Sequence, residues 1–226
     1  MEISAPVNPT GNIAIIEDDR SMREALGFQL ETAGYRVVPH PSAESFLEDT
    51  GSKQFDCIVV DLCLPRMNGL QLLVQIKRSL PFVSIVLITG HGDLSTGVRA
   101  MREGAADCLQ KPIDDQTLLQ AVARAADLSC SSRATHLWRL ELEKRERSLT
   151  PREREVFRLI TAGLLNKQVG AELGPSEWTV KKHRARVMSK MGADSLADLV
   201  RMSEILGVRP SVRPWPGLSV AYQTFA

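Results

Sequence analysis

Glu17, Asp18, Asp61, Thr89 and Lys111 are the residues of this 226-residue chain whose types and placement point to chemistry. Each stands at or just past the end of an apolar run: Ile13-Ala-Ile-Ile16, Cys57-Ile-Val-Val60, Val83 to Ile88, and Ala106 to Leu109. Such runs read as buried parallel strands, and in an open α/β sheet the carboxyl ends of parallel strands share one edge. The five side chains therefore converge on one crevice. Three carboxylates at close quarters repel one another unless a cation lies among them, and hard oxygen ligands suit Mg2+. Asp61 is then placed to attack a phosphoryl group carried by a phosphohistidine, giving an aspartyl phosphate. The metal and Lys111 neutralise the transferring oxygens, and the Thr89 hydroxyl bonds one of them. Any one of these residues alone would suit a helix cap or a structural ion pair. Five of them at four strand ends, with Pro112 directly after Lys111, read as a phosphoryl-transfer site.

The elements that must hold this crevice follow from periodicity. A further strand fits Tyr35 to Val38, and the first helix sets Met22, Leu26 and Leu30 on one face, with Gly34 where a C′ residue belongs. Helices also fit Ser42 to Asp49, Asn68 to Ser79, Asp93 to Glu103 and Asp114 to Asp127. Five strands alternating with five helices predict an α/β fold, a (βα)5 doubly wound parallel sheet, over residues 12–128. The polar patch Ser129-Cys-Ser-Ser132 and the weakly apolar Ala134 to Ser148 read as a helical linker, 129–148.

Residues 149–207 read as all-helical. Thr150 and Glu153 form a capping box with Pro151 at the first helical position; Val156, Leu159 and Ile160 supply the apolar face, and Gly163 ends the helix. Asn166 is expected to cap a short helix carrying Val169 and Leu173. After the turn Gly174-Pro-Ser176, Ser176 caps a basic helix, and a fourth helix fits Ser195 to Leu206. Short helix, glycine-containing turn and basic helix make a helix-turn-helix. The stretch 208–226, with three prolines and no periodicity, reads as a disordered tail.

Charge divides along the same line. Residues 1–127 carry 11 Lys and Arg against 17 Asp and Glu, whereas residues 128–226 carry 17 against 10, so a chain of net charge +1 has an acidic half and a basic half. Nucleic acid is the natural partner of the second half. Cys57, Cys63, Cys108 and Cys130 are scattered without metal-binding pairs or the density of a disulfide scaffold, which fits a reducing cytoplasm. No apolar stretch approaches the ~20 residues of a membrane span, and Met1 to Thr10 lacks the features of a signal sequence.

In the segment Glu177 to Met191, a turn of 100° per residue sends Val180, Val187 and Met191 inward and Lys181, Lys182, Ala185 and Arg186 outward. The outward face is suited to a major groove, with Lys181 and Lys182 near base edges and Arg186 near a base or phosphate. Lys190, Lys167 and the helix start at Asn166 suit backbone contacts.

Four stretches, Ile15-Ile-Glu-Asp-Asp-Arg-Ser-Met-Arg23, Asp61-Leu-Cys-Leu-Pro-Arg-Met-Asn-Gly69, Thr89-Gly-His-Gly-Asp93 and Lys111-Pro112, make the first half resemble the receiver domain of bacterial response regulators. The resemblance implies Asp61 as phospho-acceptor, Glu17, Asp18 and the Cys63 carbonyl as metal ligands with Asp61, and Thr89 and Lys111 as phosphate sensors. Where that family usually carries Phe or Tyr, three residues before the lysine, this chain has Cys108. Switching is then expected to run through the Thr89 loop and the Asp93 to Glu103 helix, with Cys108 packed inside in both states. Leu149-Thr-Pro-Arg-Glu-Arg-Glu-Val156, Asn166-Lys-Gln-Val-Gly170 and Thr179-Val-Lys-Lys-His-Arg-Ala-Arg-Val-Met188 resemble the LuxR-type four-helix DNA-binding domain. His183 matches a position of that family near the DNA backbone, Arg186 replaces the Asn often found there, and Trp178 is unusual just inside the recognition helix, read as packing on the linker or the other domain.

The whole chain thus looks like the FixJ/NarL class. That implies a transcriptional regulator and not an enzyme: a sensor histidine kinase phosphorylates Asp61, receivers pair through the Asp93 to Glu103 helix and the Ala106 to Leu109 edge, and the homodimer binds promoter DNA, with RNA polymerase a further partner. The alternative is a phosphorylation-independent DNA-binding regulator whose receiver serves only protein contacts. A phosphatase using the same aspartyl chemistry would lack a second acid/base and leave the basic helix unexplained.

Overall fold

A computed structural model describes residues 11–49, 54–90 and 94–208. The expected tail beyond residue 208, the Met1 to Thr10 segment and the His91 to Asp93 part of the loop after Thr89 lie outside the described residues. The chain divides into two compact units, Met1–Ala134 and Thr135–Ala226.

The first unit holds strands β1 (Asn12–Ile16), β2 (Arg36–His40), β3 (Cys57–Asp61), β4 (Ser84–Thr89) and β5 (Asp107–Gln110), all parallel in the order β2-β1-β3-β4-β5. The helices α1 (Arg20–Thr32), α2 (Ala43–Asp49), α3 (Gly69–Ser79), α4 (Leu94–Arg102) and the start of α5 (Asp115–Arg147) alternate with them. Side chains along a strand point alternately to opposite faces, and the two cores sort accordingly. Ala14, Ile16, Ile58, Val60, Ile85 and Leu87 face α2, α3 and α4 through Phe46, Leu72, Ile76 and Ala100. Ile13, Ile15, Cys57, Val59, Val86 and Ile88 face α1 and α5 through Leu26, Leu30, Leu118 and Val122. Both faces of the central strands are covered, which is why they read as continuous apolar runs. Pairing of Ile16 with Val60 and of Asp61 with Ile88 brings the chain after β1, the end of β3 and the end of β4 to one edge.

Where two helices separated by a polar patch are expected, α5 is one helix of 33 residues. The patch does not break it because Ser129, fully buried, accepts the Ser84 N–H at 2.7 Å and donates to the Ala125 carbonyl one turn back. A serine bonded this way is compatible with a helix interior. Arg133 then donates to the Phe55 carbonyl at 2.8 Å and pairs with Asp56, so the first unit extends past the expected end at residue 128.

The second unit contains the end of α5 with α6 (Pro151–Thr161), α7 (Asn166–Leu173), α8 (Glu177–Met191) and α9 (Leu196–Ile205). Leu142 of α5 is fully buried in its core with Val156, Phe157, Ile160, Val169, Val180, Val187, Met191 and Leu199. Thr150 and Glu153 form the expected capping box, and Ser176 and Ser195 cap α8 and α9. The cap of α7 differs from expectation. Leu165 occupies the N-cap and Asn166 is the first helical residue, its Oδ1 accepting instead from Arg184 at 3.4 Å. The turn before α8 is tight: a Cβ at Gly170 would lie 2.8 Å from the Pro175 carbonyl oxygen.

Glu153 is 3% exposed; its carboxylate accepts the Thr150 N–H at 2.9 Å and lies 2.6 Å from Lys190 Nζ. The hydrogen bond from Lys190, with that from the Thr150 backbone, holds this carboxyl below its ordinary range. A depressed carboxyl adds stability that is fully present above its unfolded pKa and is lost as pH falls through the folded one. Glu153→Gln is therefore expected to destabilise the second unit by about 1–2 kcal/mol at neutral pH, a charged hydrogen bond discounted for the partly exposed lysine. The deficit closes below about pH 4. Urea melts at neutral and acid pH measure it, and a deficit independent of pH would assign the loss to packing.

Candidate phosphoryl-transfer site and nucleic-acid surface

Because β1 and β3 are neighbours and β4 and β5 follow, the strand ends place Glu17, Asp18 and Asp61 together, with ligand oxygens all within 4.8 Å of one another. Glu17 and Asp61 are 1% and 5% exposed, whereas Asp18 is exposed. Lys111 Nζ lies 2.8 Å from both Glu17 Oε2 and Asp61 Oδ2, one ammonium bridging two buried carboxylates. Its own backbone N–H donates to the Thr89 carbonyl at 2.8 Å, which ties the end of β5 to that of β4. Thr89 is buried at the end of β4, and the Cys63 N–H donates to Asp61 Oδ1 at 3.1 Å, so the Cys63 main chain borders the carboxylate.

The electrostatics are unbalanced. Burial, with the Asp61 charge adding to it, raises the Glu17 carboxyl above its ordinary range despite Lys111. For Lys111, burial works against the charge, but hydrogen bonds to Asp61 and Glu17 outweigh it and its pKa is raised. Lys111 bridges only two of the three clustered carboxylates, and a divalent cation would relieve the excess negative charge. The donor set, all hard oxygen with one ligand open to solvent, fits Mg2+.

Asp19 and Gly69 belong to the site's scaffold although they fall outside the residues singled out by chemistry. Asp19 caps α1 by accepting the Met22 N–H at 2.7 Å, and Arg23 reaches back to the Glu17 carbonyl at 2.6 Å, fixing the turn that carries the acidic pair. The signal for Asp19 was an acidic residue directly before an amphipathic helix. Gly69 opens α3 and its N–H donates to the Leu62 carbonyl at 3.1 Å. Cys108 is half-buried and packs on the core beneath α2, α3 and α4, while its neighbour Leu109 belongs to the opposite core.

On α8, Val180, Val187 and Met191 are buried, and Lys181, Lys182, Ala185 and Arg186 are exposed. Lys167 is exposed at the start of α7, where no side chain caps the free N–H groups. His183 is half-buried. Lys190 is exposed, and its ammonium is held by Glu153 and by the Ser148 carbonyl at 3.1 Å. Trp178 is 65% exposed, and Lys182 Nζ stands 3.6 Å from its ring centroid.

Among the described residues no helix is long and apolar enough to cross a membrane. Residues 13–123 match the family described as "Response regulator receiver domain", and residues 147–203 match "Bacterial regulatory proteins, luxR family". The chain is 43% identical to Nodulation protein W of Bradyrhizobium diazoefficiens over 196 residues, covering 87% of this chain and 86% of that one. It is 40% identical to the transcriptional regulatory protein FixJ of Azorhizobium caulinodans, covering 88% and 94%. Among solved structures it resembles the response regulator StyR (39% identity, TM-score 0.73, 85% and 98% covered). Full-length FixJ from B. japonicum is also similar (36%, TM-score 0.55, 87% and 97% covered). With two successive domains matched and relatives aligned over most of both chains, the protein belongs to the FixJ-like family of two-component transcriptional response regulators.

Proposed function

We propose that Asp61 is the phospho-acceptor of this regulator. A carboxylate oxygen of Asp61 bonds to phosphorus as the phosphorus–nitrogen bond to a histidine of the sensor kinase breaks, and the imidazole leaves with the electron pair. Lys111 stays beside the transferring oxygens and offsets their charge, and the Thr89 hydroxyl bonds one of them. Glu17, Asp18, Asp61 and the Cys63 carbonyl hold Mg2+, which supplies charge neutralisation at the phosphoryl group. The observation that carries this reading is the single lysine shared by two buried carboxylates at the edge where the strands end.

Phosphorylation then favours pairing of two receivers through α4 and β5, switching through Thr89 with Cys108 packed as it is. The paired chains present Lys181, Lys182, Ala185 and Arg186 to a promoter's major groove, with Lys167 and His183 at the backbone, and engage RNA polymerase in the cytoplasm. Two linked half-sites raise affinity through effective concentration. Lys190 is left out of this surface because its charge is already paired with Glu153.

Footprinting with acetyl phosphate and Mg2+, alongside analytical ultracentrifugation, tests the coupling. Phosphorylation is expected to shift the chain toward dimer and to raise promoter affinity at least tenfold, the order of typical allosteric couplings. Equal affinity with and without the phosphodonor would favour a receiver used only for protein contacts.

A further inference from the structure

The recognition helix carries one group that a basic, groove-binding face does not require. Trp178, the second residue of α8, is 65% exposed, whereas Val180, Val187 and Met191 of the same helix are fully buried and Met188 is partly buried against the same core. An indole is among the largest apolar groups a chain has and is highly buried on average, so keeping one in water at the start of this helix carries a penalty with no return from the fold. Lys182, one turn on, sets its ammonium over the ring face at 3.6 Å. A cation–π contact of this kind holds ring and ammonium as a unit and leaves most of the indole open.

The residues beginning a recognition helix are those that meet base edges in the major groove. The most prominent apolar feature of that groove's floor is the 5-methyl group of thymine. Against polar edges an indole, with a single N–H donor, replaces at most one of the hydrogen bonds of the water it displaces, whereas against a methyl it buries apolar surface on apolar surface. Building on the DNA-binding role given to α8 above, we propose that Trp178 is a specificity-determining residue whose indole packs on a thymine methyl. Lys182, steadied over the ring, accompanies it into the groove. The adjacent Lys181, Ala185 and Arg186 are exposed on the same helix, so the aromatic contact adds sequence preference to a surface otherwise suited to phosphates and guanine.

The full chain, treated with acetyl phosphate and Mg2+, is used to select duplexes from a randomised pool, in parallel with Trp178→Ala and Trp178→Phe. The parent is expected to select a thymine that Trp178→Ala no longer prefers. Replacing that thymine by deoxyuridine removes only the methyl and should weaken parent binding about fourfold, the worth of one buried methyl. It should leave Trp178→Ala unchanged and still weaken Trp178→Phe, which keeps an apolar ring. Thermal melts establish that the variants are folded. A Trp178→Ala chain selecting the same consensus with the same deoxyuridine penalty overturns the assignment, as does a folded Trp178→Phe that has lost the penalty. If the parent itself selects no sequence, the DNA-binding role of α8 fails, and the Trp178 contact fails with it.

Discussion

Asp61→Asn is expected to give a folded chain that gains no phosphoryl group on incubation with acetyl phosphate and Mg2+. The substitution is nearly isosteric and keeps an oxygen to accept the Cys63 N–H, so the local main chain retains its anchor. The nucleophile is lost, because an amide oxygen does not displace a leaving group from phosphorus at a useful rate. Stability is expected to hold or rise. Two buried carboxylates now share Lys111, and the Asp61 charge is one cause of the raised Glu17 carboxyl. A carboxyl whose folded pKa is raised subtracts stability at neutral pH and regains it as pH falls, so removing a neighbouring negative charge lessens that deficit. Lys111 keeps Glu17 as its partner and is not left as an unpaired buried charge. Intact-mass spectrometry and urea melts on the same samples read both effects. An undiminished mass gain in Asp61→Asn would place the acceptor elsewhere, and a melt lowered by several kcal/mol would make Asp61 a structural residue first.

Strand alternation was legible in the sequence because Ile13 and Ile15 go to one core and Ala14 and Ile16 to the other, a period of two that any buried parallel strand imposes. The meeting of Glu17, Asp61 and Lys111 was legible because topology alone takes parallel strand ends to a common edge. The continuity of α5 was not, since Ser129 draws its bond from Ser84, a partner 45 residues away that no local pattern announces. The absence of Gly and Pro from 113 to 148 was the available signal. The Lys190 ion pair was hidden for the same reason: a charged residue on a basic helix looks free until Glu153, from another helix, is brought against it. At α7, Leu165 takes the cap over the better capping residue Asn166, whose oxygen is engaged by Arg184. Tertiary contacts outweigh a local preference worth about 1 kcal/mol.

Gly69→Ala is expected to destabilise the receiver by about 3 kcal/mol, the upper end of what overpacking a well-filled core costs, and to slow phosphorylation at least tenfold. In a helix, Gly to Ala ordinarily stabilises by up to about 1 kcal/mol, so the sign must come from packing. A Cβ on Gly69 would lie 2.5 Å from the Asp61 carbonyl oxygen and 2.9 Å from the Leu62 Cα. Both are backbone atoms, which cannot swing aside as a side-chain terminus can. The Gly69 N–H bond to the Leu62 carbonyl and the Asn68 capping box fix the start of α3 against the end of β3, so the added methyl pushes on the peptide that carries Asp61. Displacement of that peptide moves the carboxylate relative to Lys111 Nζ and the Cys63 N–H, which is why rate and stability fall together. Gly27→Ala is the matched control. It lies inside α1, where the nearest atom to a new Cβ is Val37 Cγ1 at an ordinary 3.9 Å, so propensity alone acts and the chain gains up to about 1 kcal/mol. Urea melts and acetyl phosphate labelling rates on the two variants separate the effects. Should Gly69→Ala melt and label like the parent, the contact between α3 and β3 yields more readily than its geometry implies, and Asp61 does not depend on it for position.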